Sequence, residues 1–195
     1  MNVEKAYDNI ALALAAYEKS PALNRFDSKF DYSLRGQATL TEQEGRGLAL
    51  FNGDKANCSS CHPTGGDKPI LSSYVYENLG VPVNPEIAKL RKVTQLPPDL
   101  GLGGVLKDSA QNGKFRVPSL RNVAKTSPYG HNGYFTSLKQ TVHFMNTAGV
   151  SSEWAKPEVN ENVERIEVGN RGLTVEEEDA IVAFLGTLSD GYVQQ

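Results

Sequence analysis

The sequence predicts an all-α domain of short helices joined by long loops, with a helical extension at its N-terminus. Three observations predict it. Apolar residues recur at helical rather than alternating spacing, Ser/Thr-x-x-Glu/Gln signatures precede apolar runs, and a long middle stretch is punctuated by Gly and Pro. A chain of 195 residues suits one domain, read as residues 41–195, with residues 1–40 as the extension. With 39% hydrophobic and 22% charged residues there is enough apolar material to close a core.

The elements follow in order. Residues 2–19 carry Tyr7, Ile10, Leu14 and Tyr17 at helical spacing, and Pro21 stops the pattern. A second helix starts at Thr41, which has Glu44 at capping-box spacing ahead of Leu48, Leu50 and Phe51, and ends near Asn52-Gly53. From Pro63 to Phe115 the Gly- and Pro-rich sequence reads as an ordered surface loop with one short helix near Pro85–Val93. Its GLGG stretch at 101–104 is no dinucleotide fingerprint, because no strand leads into it and the glycine spacing is wrong. Pro118–Lys125 reads as a further short helix. Ser137 and Gln140 open another that runs through about Met145. The last begins at Thr174 with Glu177 at box spacing, and Glu176–Asp179 suit its positive end. Its apolar face is Ile181, Val182, Leu185 and Leu188. No internal repeat or low-complexity tract is evident.

Charge and hydropathy exclude two classes of partner. Twenty basic against 23 acidic side chains leave a formal charge of −3, which gives no field for gripping nucleic acid, and no Lys/Arg-dense stretch compensates. The longest apolar run, Ile10 to Tyr17, falls far short of the ~20 residues of a bilayer span. No basic-then-apolar leader precedes it.

Two cysteines are too few for a disulfide framework. They are Cys58 and Cys61, followed at once by His62. A C-x-x-C pair reads as a redox dithiol, as half a zinc site or, with His directly after it, as a c-type haem attachment. Zinc needs two further ligands, and His131 and His143 do not have the usual finger spacing. The dithiol reading expects a βαβ unit, and none surrounds the motif. The haem reading accounts for all three residues: both thiols add across the porphyrin vinyl groups, and the imidazole is held beneath the iron. One covalent haem c is therefore the expected cofactor, and the fold becomes a c-type cytochrome domain of short helices around it.

His62 supplies one axial ligand and the opposite one must be found. Apart from Met1 there is one methionine, Met145. Leu138, Val142 and Met145 recur at i, i+4 and i+7 and share one helix face. His143 lies two positions from Met145, roughly 200° around the helix, and faces away. A lone Met on an apolar face is more often core filler. A haem in need of a partner reverses those odds, so Met145 is the expected ligand and His131 the runner-up. His143 is read as a surface or supporting residue.

The run FRVPSLRNVAKTSPYGHNGYFTSLKQTVHFM, residues 115–145, resembles the hallmark of the bacterial dihaem cytochrome c peroxidases and the related methylamine-dehydrogenase-maturation enzymes. AYDNIALALAAYEKS, NRFD, GRGLALFNGDKANCSSCH and LTVEEEDAIVAFLGTLSD are similar to the same family. The resemblance covers essentially the whole chain and corresponds to the C-terminal half, which carries the higher-potential, electron-accepting haem. It implies His and Met axial ligands in the peroxidases, with Met145 at the matching distance from His131, whereas the maturation enzymes have a Tyr there. It implies calcium held partly by backbone carbonyls at Thr126 and Pro128, with the remaining ligand in the other half. Arg121 matches the SLRN arginine and is read as a haem-propionate partner or as a loop brace. Asn132 stands where the family usually has Asp.

The expected function is a monohaem c-type electron carrier, free-standing or the electron-transferring half of a larger peroxidase. The alternative is a peroxidase, alone or with a partner haem domain, reducing hydrogen peroxide with cytochrome c electrons. One Met-capped haem has neither the open iron position nor the distal acid–base pair that peroxide cleavage requires. The expected partner is a small cytochrome, a copper protein or a second haem domain. Covalent haem attachment places the protein in the periplasm.

Overall fold

The core forms where two helices cross without a side chain between them. Helix α3 (Glu42–Asn52) meets α7 (Val175–Gly186) at Gly47, where a Cβ would collide with the Ala180 carbonyl. That approach lets Phe184 enter between Phe30 and Phe51, with ring centroids 5.3 Å and 5.1 Å away. Ile181, Leu185, Leu188, Leu71 and Val142 complete the buried cluster. The computed structural model describes residues 2–94, 96–166 and 168–193. In chain order the remaining helices are α1 (Val3–Glu18), α2 (Lys29–Leu34), α4 (Pro85–Leu90), α5 (Leu102–Leu106) and α6 (Leu138–Thr147). The described structure is mostly helix and loop. A two-residue antiparallel pair, β1 (Tyr76–Glu77) with β2 (Phe115–Arg116), ties the middle loop together.

The capping signatures act as read. Thr41 and Glu44 close a reciprocal box on α3, and Thr174 and Glu177 do so on α7. Ser137 accepts from the Gln140 amide, while the Gln140 side chain reaches back to Thr136 instead. A box that the sequence reading did not single out, Ser28 with Asp31, starts α2. Through Phe30, α2 joins the α3–α7 core, so residues expected in the N-terminal extension pack with the domain. Helix α1 has no buried residue.

Two stretches differ from expectation. Only Val123–Lys125 of the expected 118–125 helix forms, as a single 3-10 turn. Its backbone and side chains are committed elsewhere: Ser119 Oγ donates to the Ile70 carbonyl at 2.6 Å, and the Asn122 amide donates to the Leu188 carbonyl at 3.0 Å. Conversely α5 forms across the GLGG segment despite poor helix propensity. Gly101, at φ +53°, lies so close to the Lys114 carbonyl that no Cβ would fit. The Leu102 amide donates to that same carbonyl at 2.9 Å. The middle loop is not purely superficial either, because Leu71, Val81 and Pro82 are buried.

Candidate functional site

After α3 the chain turns at Asn57, which adopts the left-handed conformation that Asn tolerates (φ +53°) and opens a 3-10 turn at Cys58–Ser60. The His62 amide donates to the Cys58 carbonyl at 2.9 Å, so both cysteines and the histidine share one tight coil. Cys58 packs against the α3–α7 core, and both thiols are unbridged. Burial pushes the Cys58 thiol up to about 12, with the nearby Arg171 charge opposing it, so the sulfur is held as a neutral thiol.

The segment after the motif straps it down. The Ser73 amide donates to the Cys61 carbonyl at 2.8 Å, and Leu71 turns its carbonyl onto His62 Nδ1 at 2.8 Å. Leu71 does this at φ +56°, a conformation a Leu rarely adopts, with its side chain locked in the core. A carbonyl only accepts, so Nδ1 carries the proton and Nε2 keeps its lone pair. Burial also pushes the His62 imidazole below its ordinary value, the Leu71 bond working against it, which keeps the ring neutral at pH 7. A neutral imidazole whose second nitrogen donates to a backbone carbonyl is how metal-ligating histidines are oriented. The donor set and its support therefore fit a haem held by Cys58, Cys61 and His62.

Helix α6 connects this region with Met145. Leu138 and Val142 join the cluster that contains Cys58, while Met145 belongs to a second cluster with Val81, Phe135, Phe144 and Trp154. Ring centroids of Phe135 and Phe144 lie 4.8 Å apart, and Trp154 stands edge-on to Phe144 at 5.1 Å. The Met145 carbonyl accepts the Gly169 amide at 2.8 Å.

The two other histidines have carboxylate partners. His131 stacks on Phe115 at 3.8 Å and gives Nε2 to Glu158 at 3.0 Å. Glu158 also accepts from Asn132 at 2.9 Å and from the Asp99 amide at 3.0 Å, and these bonds hold the 131–134 turn. His143 bridges Glu178 (2.8 Å) and Glu153 (3.0 Å), with Trp154 tilted against its ring at 5.9 Å. Its bond to Glu178 outweighs the effect of burial and raises its pKa, so the ring is held toward the imidazolium. Buried Glu178 also takes Asn146 at 2.7 Å and Lys139 at 3.1 Å, riveting α6 to α7. The sequence reading missed this network, although Glu178 lies three residues before core Ile181 and so on the same face.

Arg121 takes the bracing geometry. Its side chain is 8% exposed and pairs with Asp31 at 2.7 Å and Asp190 at 2.6 Å, with Phe26 stacked 4.3 Å from the guanidinium. Both terminal nitrogens are thus committed to carboxylates that join α2 to the end of the chain. Burial alone would raise the Asp31 pKa, but Arg121 and Ser28 outweigh it and hold the carboxyl below its usual range. Its stabilisation is therefore present above the unfolded value near ~3.9 and is lost as pH falls through the lower folded value. In Arg121→Met two buried carboxylates lose their cation, and we expect a loss of about 3–5 kcal/mol at pH 7. Burial then governs Asp31 and raises its pKa, so the deficit shrinks on acidification. Urea unfolding at pH 7 and pH 4.5 measures this, and a deficit that grows at the lower pH contradicts it.

Thr126 and Pro128 lie on an exposed loop, where Thr126 Oγ1 donates to the Val123 carbonyl at 3.2 Å. Among the described residues no group of three or more His, Cys, Asp or Glu side chains is placed to hold a metal ion. No helix among them is long and apolar enough to cross a membrane.

No family model matches the sequence. Single proteins do. The methylamine utilization protein MauG of Paracoccus denitrificans is 38% identical over 209 residues, covering 96% of this chain and 52% of that protein. A cytochrome-c peroxidase of Denitromonas iodatirespirans is 35% identical, covering 84% of this chain and 44% of its own length. Among solved structures, the dihaem peroxidase BthA of Burkholderia thailandensis superposes with a TM-score of 0.72 at 29% identity, covering 90% of this chain and 49% of that one. The chain spans about half the length of the curated relatives it matches.

Proposed function

The chain is a homologue of the MauG and dihaem cytochrome c peroxidase family that corresponds to about half of a member, and from that premise we propose that it is a one-electron carrier built around a single covalent haem c. The observation that carries the proposal is the Cys58–His62 coil with His62 Nδ1 tied to the Leu71 carbonyl. That bond orients the imidazole and leaves Nε2 for the iron. Bound there, haem would supply a ferric/ferrous couple. Cys58 and Cys61 would tether it, and Met145, on the α6 face that continues from Val142, would be the opposite ligand. Thioether ligation favours the ferrous form and raises the potential. The half represented is the electron-transferring one, with calcium at Thr126 and Pro128 an added expectation. The partner is a small cytochrome, a copper protein or a second haem domain, and the compartment is the periplasm.

The rival role, peroxide reduction, needs an open iron position that Met145 would close. The test is turnover by the haem-loaded protein with hydrogen peroxide and a reduced small cytochrome. A carrier exchanges electrons with the cytochrome and shows no peroxide-dependent turnover. Sustained turnover by the 195-residue chain alone overturns the carrier reading.

A further inference from the structure

Three glutamates stand in the first turn of α7, and only the last of them turns inward. Glu177 closes the helix's own capping box and pairs with Lys55, and Glu176 is exposed. Glu178 is 2% exposed, on the face that Ile181 and Leu185 continue into the core. An apolar side chain there would hold two helices together without taking a charge out of water, so a plain rivet does not require a carboxylate. What the carboxylate adds is direction. Its partners all come from α6: Lys139 at 3.1 Å, His143 at 2.8 Å and Asn146 at 2.7 Å. They stand at i, i+4 and i+7, one stripe of that helix. Hydrogen bonds weaken steeply off their axis, so bonds to one stripe fix the rotation of the helix where apolar packing leaves it looser.

Two of the three partners flank Met145, His143 two positions before it and Asn146 one after. Met145 projects about 100° around the helix from Asn146, so the stripe gripped by Glu178 decides where its side chain goes. A second grip acts on the same turn through the backbone. The Gly169 amide donates to the Met145 carbonyl at 2.8 Å and the Arg171 amide to the Asn146 carbonyl at 2.9 Å. Leu173 exchanges two bonds of 3.0 Å with the Asn146 side chain. None of these needs Glu178. Resting on the reading of Met145 as the distal ligand, we propose that Glu178 is a positioning residue for it. Acting through His143 and Asn146, it fixes the rotation of α6 at both flanks of Met145, keeps the sulfur on the iron and slows its release. A thioether is a weak donor, so its hold depends on how little freedom the protein leaves it.

The test uses imidazole and the ferric, haem-loaded protein. Imidazole binds only after the sulfur leaves, so the limiting rate at saturating imidazole reads that release. In Glu178→Leu we expect this rate to rise roughly 10-fold or more, the worth of a lost hydrogen bond to a charged group, and the far-red band to weaken. Glu178→Gln keeps an acceptor for His143 and Asn146 and should stay within about threefold of the parent. Ile181→Ala, on the same face of α7, removes core packing and none of these bonds, so it lowers the urea midpoint and should also leave the rate within about threefold. Equal acceleration in Ile181→Ala and Glu178→Leu makes Glu178 a structural rivet only and overturns the proposal. So does a Glu178→Leu rate close to the parent's, or a Glu178→Gln rate as high as that of Glu178→Leu. Should Glu178→Leu fail to fold, His143→Leu decides. That side chain is 37% exposed, and losing its one bond to Glu178 must raise the rate about threefold or more. A ferric parent without the far-red band overturns the Met145 reading itself, a result distinct from a parent that has the band and releases its sulfur without regard to Glu178.

Discussion

Matured in cells that attach haem to c-type cytochromes, the protein should keep one haem per chain through denaturation, and Cys58→Ala with Cys61→Ala should reduce that retention to near zero. The physical reason lies in how the two thiols are displayed. Both sit on one 3-10 turn, unbridged, with Cys58 packed against the α3–α7 core and Cys61 fixed by the Ser73 amide on its carbonyl. Burial keeps Cys58 as a neutral thiol, which disfavours metal binding as a thiolate. Each single variant should retain a haem through one thioether, with a shifted absorption spectrum, while the double variant releases it into acidified organic solvent. Mass spectrometry of the unfolded chain settles the matter. Both thiols free in properly matured wild-type protein would remove the haem reading altogether.

Local signals in the sequence proved the most legible. Thr41, Ser137 and Thr174 cap the helices they were expected to cap, because a cap depends on three or four neighbouring residues. The cysteine motif was legible for the same reason. What escaped notice depends on contacts distant in sequence. Phe184, fully buried, was absent from the expected apolar face although it stands three residues after Ile181 and four before Leu188 on that face; only the slot that Gly47 opens for it depends on a distant contact. Helix α5 forms over two glycines because the Lys114 carbonyl holds its first turn. Arg121 was read with two alternatives, and only the fold brings Asp31 and Asp190, 90 and 69 positions away, onto its guanidinium. The strap at Leu71 is invisible in the sequence, because nothing there predicts a left-handed Leu.

Met145 should be the distal ligand, and removing its sulfur should change the spectrum and the potential together. The ferric wild-type protein should be low-spin with the weak far-red band of sulfur–iron ligation. In Met145→Leu the side-chain volume is nearly conserved, so the cluster with Val81, Phe135 and Phe144 stays packed and the fold should lose under ~1.5 kcal/mol. The band should vanish and the midpoint potential should fall by on the order of 0.1 V, within the ~0.8 V that axial ligands span. Met145→Ala should lose the same band and additionally about 2 kcal/mol, because the half-buried side chain leaves a cavity beside the aromatic cluster. Comparing the two separates ligation from packing: a structural Met gives the stability loss in the Ala variant and no spectral change in either. The same substitutions open an iron position, so they should also give weak peroxide turnover that the parent lacks. His131→Ala is the control. Its ring is already engaged by Phe115 and Glu158, so its loss should loosen the 131–134 turn and leave the far-red band in place. A band that survives Met145→Leu and disappears in His131→Ala would transfer the ligand assignment to His131.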